Sequence, residues 1–280
     1  MKHVVAAAQM VSTGNVDANL AAAERLIAQA AEVNAKMVSL PEVFAVLEGG
    51  PMHGFGEVEG EGKIQGFLSA QAKKYGLILV GGTIPLLTRP NTTFSDADHL
   101  IEDTRVRAAC LVFDSDGQQI ARYDKMHLFD VKVADKQASY SESRSYEPGD
   151  EIVTLQTEIG HLGLSVCYDL RFPELYREFF KRGAEIVTIP SAFTAVTGNA
   201  HWETLLRARA IENQCYIVAA AQGGKHNDKR ETWGHTVIID PWGSILDSVE
   251  KGEGIALAEI DLEYLQKIRE RMPISEQLRL

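Results

Sequence analysis

The sequence predicts a layered α/β fold in which sheets are covered by helices. Two observations carry this. Apolar runs of strand length alternate with helical segments along most of the chain, and hairpin signatures are interleaved with β-α-β units. A third observation sets the organisation. No composition break, linker or repeat divides the 280 residues, of which 45% are apolar, so one domain over 1–280 with a full core is expected.

Residues 3–11 read as a buried first strand, being too short and too quickly polar for a secretory leader. Asp17 is placed to cap a helix whose Leu20, Ala23, Ile27 and Ala30 share a face. A short strand over 36–40 is broken by Pro41; a helix over 63–75 stops at Gly76, and a strand returns over 77–84. Strands over 108–113 and 119–123 flank Ser115-Asp116-Gly117 as a hairpin, and 151–155 with 161–166 repeat the arrangement around Gly160. Helix 172–181, strand 185–189, helix 201–213 and strand 215–221 follow, then strands over 233–240 and 254–259. Asp261 opens a last helix over 263–271, which serves either a dimer or the capping of the core. The segment 126–150 breaks the rhythm. Aperiodic stretches beyond about 15 residues are uncommon in compact domains unless functional or disordered, so this one is either an insertion or part of a site.

The formal net charge of −11, with basic residues scattered, argues against a nucleic-acid partner, because phosphates would repel the chain. The tightest basic cluster, 225–230, is interrupted by Asp228. A small ligand can still meet a locally positive pocket. Cys110, Cys167 and Cys215 are odd in number and widely spaced, which fits neither a disulfide framework nor a CxxC zinc site. No apolar run reaches the ~18 residues that span a membrane. These features point to a reducing cytosol, and nothing in the sequence asks for a metal or a cofactor.

Three chemically capable residues each come straight after an apolar strand. Cys167 closes the run 162–166, with Pro173 placed to start a helix. A sharp turn there exposes the sulfur, and nearby backbone N–H groups stabilise an anion. A free thiol, with an ordinary pKa of about 8.5, needs activation to attack at neutral pH. Taken alone, such a cysteine is more often a core thiol. Lys125 follows the strand 119–123; beside a thiolate, a lysine lowers the thiol's proton affinity and receives a developing oxyanion. Glu42, in Ser39-Leu40-Pro41-Glu42-Val43, has the apolar flanks that suit a general base. Taken alone, a lysine or glutamate at a strand end is usually solvated. In α/β folds, however, ligands gather at the carboxyl ends of strands. If these three ends meet, they supply nucleophile, oxyanion stabiliser and base. The alternative is a papain-like pair with His127 or His201 as base.

The stretches Leu40-Pro41-Glu42, Tyr123-Asp124-Lys125-Met126-His127-Leu128 and Cys167-Tyr168-Asp169-Leu170-Arg171-Phe172-Pro173-Glu174 resemble the three ordered signatures of the nitrilase superfamily of carbon–nitrogen hydrolases. The resemblance covers nearly the whole chain. It implies a four-layer α-β-β-α sandwich of the nitrilase type, assembled as a homodimer or larger homo-oligomer. It implies that Glu42 is the general base and that Cys167 is a thioester-forming nucleophile. Lys125, with the Tyr168 backbone N–H, would then stabilise the tetrahedral intermediate. A second glutamate of the family matches Glu142, which would orient Lys125 or the substrate amide. Glu147 is its competitor, as a solvated loop carboxylate.

The block over 197–222, with Gly234-His235 and Asp240-Pro241-Trp242-Gly243, is similar to the deaminated glutathione amidase and omega-amidase branch, leaning to the former. The implied reaction is hydrolysis of a small carboxylate-bearing amide, deaminated glutathione, to 2-oxoglutarate and Cys-Gly. The alternatives are 2-oxoglutaramate or another small amide and, in a different class, a non-catalytic binding or scaffold protein on the same fold. Arg171 would hold the carboxylate in bidentate fashion or pair with Glu174 or Asp169. Phe193 and Thr197 match substrate-contacting positions, with core packing as the other role for Phe193. Trp202, Trp233 and Trp242 read as core or rim residues, Arg207 and Arg209 as helix ion pairs, and Cys215 as an inert core thiol.

Overall fold

The structure, a computed structural model, describes residues 2–47, 50–90 and 99–279. Its first half runs β1 (Lys2–Gln9), α1 (Val16–Glu32), β2 (Met37–Ser39), α2 (Lys63–Tyr75), β3 (Ile78–Val80), β4 (Ile84–Leu86), β5 (Arg107–Phe113), β6 (Gln119–Asp124), β7 (Asp130–Lys132) and β8 (Ser139–Ser141). The second half runs β9 (Thr154–Thr157), β10 (Gly160–Leu164), α3 (Pro173–Lys181), β11 (Ile186–Thr188), α4 (Ala195–Asn213), β12 (Tyr216–Ala219), β13 (Thr236–Ile239), β14 (Ile245–Val249), β15 (Gly254–Asp261), α5 (Leu262–Arg271) and α6 (Ile274–Gln277).

Strand alternation builds four layers. In the first sheet, ordered β15-β1-β2-β3-β5-β4 with β6 on β5, successive side chains point to opposite faces. Val5, Ala7, Met37, Ile78, Val80, Cys110 and Val112 enter one core. Their neighbours Ala6, Ala8, Val38, Leu79, Ala109 and Leu111 enter another, against the apolar stripes of α1 and α2. The second sheet, ordered β14-β13-β12-β11-β10-β9, packs Leu162, Leu164, Ile217 and Ile239 into the first of these cores, which also takes in Leu175 and Phe179 of α3 and Trp202 and Leu206 of α4. The result is the expected α-β-β-α sandwich. Each sheet contains a parallel trio, β1-β2-β3 and β10-β11-β12, so both deliver their carboxyl ends to a common edge. There Met10 bridges Gln222 in parallel.

Several sequence expectations need correction. The cap of α1 is Asn15, whose side chain accepts from the Ala18 N–H; Asp17 lies inside the first turn and pairs with Lys63 of α2. The strand expected over 77–84 is two strands, because Gly82 (φ 58°) turns the chain where a Cβ would lie 2.1 Å from the Pro41 carbonyl oxygen. Helix α4 starts six residues before the expected 201, capped by Thr194. Gly198 lies inside this helix. In the helix it makes room for Trp233, whose Cβ a side chain there would meet at 2.2 Å. The aperiodic segment 126–150 carries the hairpin β7–β8 and a 3-10 turn over Glu142–Arg144. Strand β14, largely exposed, went unforeseen. Helix α5, which Asp261 opens as expected, buries Leu265 and Ile268, and its Arg269 donates to the Ala184 and Gln214 carbonyls; the short α6 follows it.

Candidate active site

Glu42 follows β2, Lys125 follows β6 and Cys167 follows β10. All three line one cavity of about 430 Å³ at the shared strand edge. The Lys125 ammonium is only 2% exposed and donates to Glu42 Oε1 at 2.7 Å and to both Glu142 oxygens at 2.8 Å. Burial alone would lower its proton affinity, but the charges of Glu142 and Glu42 outweigh that and raise it well above the ordinary lysine value. Glu142 is raised, first by its burial and against the pull of Lys125. Its carboxylate also accepts the Phe129 N–H at 2.5 Å, which anchors the β7–β8 segment to the lysine.

The Cys167 thiol is pushed well above its ordinary value, by burial first and then by the negative Glu42; Lys125 and the Ala192 backbone N–H oppose the shift. At rest it is a thiol, with a carboxylate in range to take the proton and a cation to stabilise the anion. Cys110 and Cys215 are also free and buried, and burial alone is the main cause that pushes each up to about 12.

Backbone strain marks the same two turns. Cys167 has φ 50° and Val43, next to Glu42, has φ 51°. A left-handed β-branched residue is an outlier, and such conformations cost of order 1–3 kcal/mol each. Each is held from outside its own turn. The Cys167 N–H donates to the Pro190 carbonyl at 2.9 Å, and the Val43 N–H to Thr83 Oγ1 at 2.8 Å. Gln222, after β12, donates to the Glu42 carbonyl at 3.1 Å and is itself tied to Ser12. The sequence reading does not pick out Gln222, which reaches Glu42 across the meeting of two sheets, or Ala192, which reaches Cys167 from the end of the neighbouring strand β11.

Asp169 joins the cysteine turn to the lysine segment. Fully buried, it accepts from the Val166 N–H at 2.8 Å, the Tyr123 hydroxyl at 2.7 Å and the His127 N–H at 3.0 Å, and it pairs with His127 Nδ1 at 2.7 Å. His127 is thus committed to Asp169 and stacks on Phe172 at 3.6 Å. His201 pairs with Arg171 at 3.2 Å. Neither histidine walls the cavity, which leaves the papain-like alternative without a base. Tyr168 does wall it, as the second residue of a 3-10 turn over Cys167–Arg171. The first N–H groups of such a turn lack intrahelical acceptors.

The remaining expectations divide. Phe193 and Thr197 wall the cavity, Thr197 from the first turn of α4 with its hydroxyl 2.9 Å from that of Thr194. Arg171 does not. It closes the 3-10 turn, outside α3, with its guanidinium 5.7 Å from the Tyr168 ring centre and 5.3 Å from that of Phe193. Among the described residues it forms no ion pair with Asp169, whose oxygens are taken, or with Glu174. Glu147 is not solvated; it is gripped by Arg89 and Arg107. Arg207 and Arg209 form the expected helix pairs, with Glu203 and Glu212. Trp202 is core and Trp242 is 60% exposed. Arg230, which the sequence reading passed over as part of an interrupted basic cluster, also walls the cavity.

The profile of the carbon–nitrogen hydrolase family matches residues 4–270. The chain belongs to that family. It is therefore a hydrolase of carbon–nitrogen bonds. It is 40% identical over 273 residues to the deaminated glutathione amidase of Yersinia enterocolitica, covering 96% of this chain and 91% of that one. It is 39% identical over 282 residues to the human deaminated glutathione amidase, covering 99% and 82%. Its fold is similar to that of Saccharomyces cerevisiae Nit3, a member of branch 10 of the nitrilase superfamily, with TM-score 0.85 and 33% identity over 100% of this chain and 97% of that one. The Caenorhabditis elegans NitFhit protein gives TM-score 0.86 and 38% identity over 99% of this chain, which spans 65% of that fusion protein. Among the described residues, no helix is long and apolar enough to cross a membrane.

Proposed function

We propose that this hydrolase is a cysteine amidase acting on a small carboxylate-bearing amide, with deaminated glutathione as its substrate and 2-oxoglutarate and Cys-Gly as products. The observation that carries the reading is the shared ammonium: Lys125 lies between Glu42 and Glu142 in the cavity that also holds a left-handed Cys167. Further support comes from relatives named deaminated glutathione amidase at about 40% identity over nearly the whole chain.

Glu42 takes the proton of Cys167, and the thiolate attacks the amide carbon. The carbonyl electrons pass to the oxygen, which Lys125 and the Tyr168 N–H receive. As the carbon–nitrogen bond breaks, Glu42 returns its proton to the leaving amine, and a thioester remains on Cys167. Glu42 then takes a proton from water, whose oxygen attacks the thioester. The carbon–sulfur bond breaks, the proton returns to sulfur, and the acid leaves. Glu142 keeps Lys125 aimed at the oxyanion throughout. Three free cysteines suit this chemistry in a reducing cytosol.

A folded Cys167→Ala protein is expected to lose turnover of deaminated glutathione; normal turnover in that variant overturns the mechanism. For the substrate, kcat/KM for deaminated glutathione is expected to exceed that for 2-oxoglutaramate. A preference for the smaller amide makes the chain an omega-amidase instead.

A further inference from the structure

We infer that Arg230 is a specificity-determining residue that receives a carboxylate of the substrate in the cavity. The inference rests on the amidase reading and deepens it.

The charge of the walls is the first argument. Among the described residues lining the cavity, the charged side chains are Glu42, Glu142, Lys125 and Arg230. Lys125 is enclosed by both carboxylates and lies where the oxyanion forms. A substrate carboxylate placed on it would displace the reacting carbonyl. Without a second cation, two carboxylates around one ammonium repel an anionic substrate. Arg230 is that cation, and its planar fork matches a carboxylate. The burial-raised hydroxyl of Tyr146, on the cavity wall, responds to Glu142, Glu42, Lys125 and Arg230 together, so the guanidinium shares one field with the reacting groups.

The mounting of Arg230 is the second argument. Its loop is pinned at both ends to strand termini, the Gly223 N–H donating to the Met10 carbonyl at 2.8 Å and the Gly234 N–H to the Gln222 carbonyl at 3.0 Å. His226 bridges the Ser12 carbonyl and Thr232 Oγ1, each at 2.7 Å. Asn227 Oδ1 accepts the Arg230 N–H at 2.8 Å, and the Arg230 carbonyl accepts the His226 N–H at 3.0 Å. The backbone of Arg230 is therefore fixed at both its donor and its acceptor, as a preorganised ligand contact requires. Arg171, expected to hold the carboxylate, stands behind the wall residues Tyr168 and Phe193, its guanidinium 5.7 and 5.3 Å from their ring centres.

The test compares charged and neutral probes in wild type, Arg230→Gln and Arg230→Lys. Three amides are used: deaminated glutathione, its neutral C-terminal glycinamide analogue, and 2-oxoglutaramate. A charged hydrogen bond lost from the complex lowers kcat/KM by about 10- to 100-fold. If Arg230 holds the leaving-group carboxylate, Arg230→Gln shows that loss for deaminated glutathione alone. If it holds the acyl-side carboxylate, all three amides lose, and Arg230→Lys recovers part of the loss. An independent arm measures alkylation of Cys167 by iodoacetate and by neutral iodoacetamide. The iodoacetate-to-iodoacetamide rate ratio is expected to fall in Arg230→Gln and to be restored in part by Arg230→Lys. An unchanged ratio, with equal effects of Gln and Lys on every amide, overturns the role. If wild type hydrolyses none of these amides, the proposed substrate fails, and the alkylation ratio still decides for or against Arg230.

Discussion

Asp124 and Lys125 are neighbours at the end of β6, yet they belong to ionic clusters of opposite design. Asp124 takes a two-pronged grip from Arg122 at 2.8 and 2.9 Å, and Arg122 also holds Glu59. Arg107 reaches Asp124 at 3.7 Å and Glu147 at 2.5 Å, and Arg89 grips Glu147 through both oxygens at 2.7 and 2.8 Å. Arg105 also approaches Glu147, at 3.8 Å, so guanidiniums and carboxylates alternate through this cluster, with two-pronged grips at Arg122–Asp124 and Arg89–Glu147. One residue further on, a single ammonium is shared by two carboxylates and faces a thiol across a cavity. Arginine forks suit fixed, saturated pairs, whereas lysine is a compact charge that several groups can share. The balanced cluster ties β5 and β6 to the segments around residues 59, 89 and 147. In the mechanism proposed above, the unbalanced one commits its charge to a reacting oxygen.

The largest expected effect follows from that imbalance. In the mechanism proposed above, Lys125→Ala removes an oxyanion partner and lowers kcat by about 10²–10³. Its cost in stability is expected to be smaller, because Glu142, with its proton affinity already raised by burial, takes up a proton when its cation is gone. Steady-state kinetics paired with denaturant unfolding separate the two quantities. A folded Lys125→Ala enzyme with wild-type kcat would erase the distinction between the clusters.

The mirror experiment is Arg107→Ala. Removing one member of a buried pair strands the other charge, and costs of 3–5 kcal/mol are typical. Glu147 keeps Arg89 and Asp124 keeps Arg122, so a loss near the lower end, about 3 kcal/mol, is expected in denaturant unfolding. The rate per folded molecule is expected to stay near that of wild type. A variant that folds normally and turns over slowly would place Arg107 in the reacting cluster.

These contrasts were only partly legible in the sequence. The layered fold follows from strand-length apolar runs, and the three strand-end residues from their positions after the runs 36–40, 119–123 and 162–166. Period and spacing are local properties, and local rules reach that far. Helix α4 starts at Ala195 rather than at the expected 201, and the tight fit of its Gly198 against Trp233, 35 positions away in the chain, is a contact that local rules do not supply. Glu147 passed for a solvated residue because its partners, Arg89 and Arg107, come from other strands and loops. Arg171, expected either on the substrate carboxylate or in an ion pair with Glu174 or Asp169, instead stands against His201 and the Tyr168 and Phe193 rings. Arg230 and Gln222 were missed for the same reason. Gln222 and the loop that carries Arg230 are anchored across the meeting of two sheets, and no spacing rule along one chain encodes that meeting.

The smallest effect distinguishes the clusters by sign rather than size. Glu147 is held below its ordinary value of 4.5, first by the hydrogen bond from Arg89, then, against burial, by the charge of Arg107. Its folded carboxyl binds a proton less readily than its unfolded one. The stability it contributes is therefore present above pH 4.5 and lost as pH falls through the folded value. Glu142 is raised above 4.5, by burial first, so its contribution runs the other way. That contribution is present below 4.5 and lost as pH rises through its folded value. Denaturant unfolding between about pH 3 and 7 should show Glu147→Gln flattening the acid limb and Glu142→Gln flattening the rise-to-neutral limb. Each change is on the order of 1 kcal/mol per unit of displacement. If both variants bend the profile in the same direction, the two carboxylates share one electrostatic environment, and the division drawn at β6 between Asp124 and Lys125 does not hold.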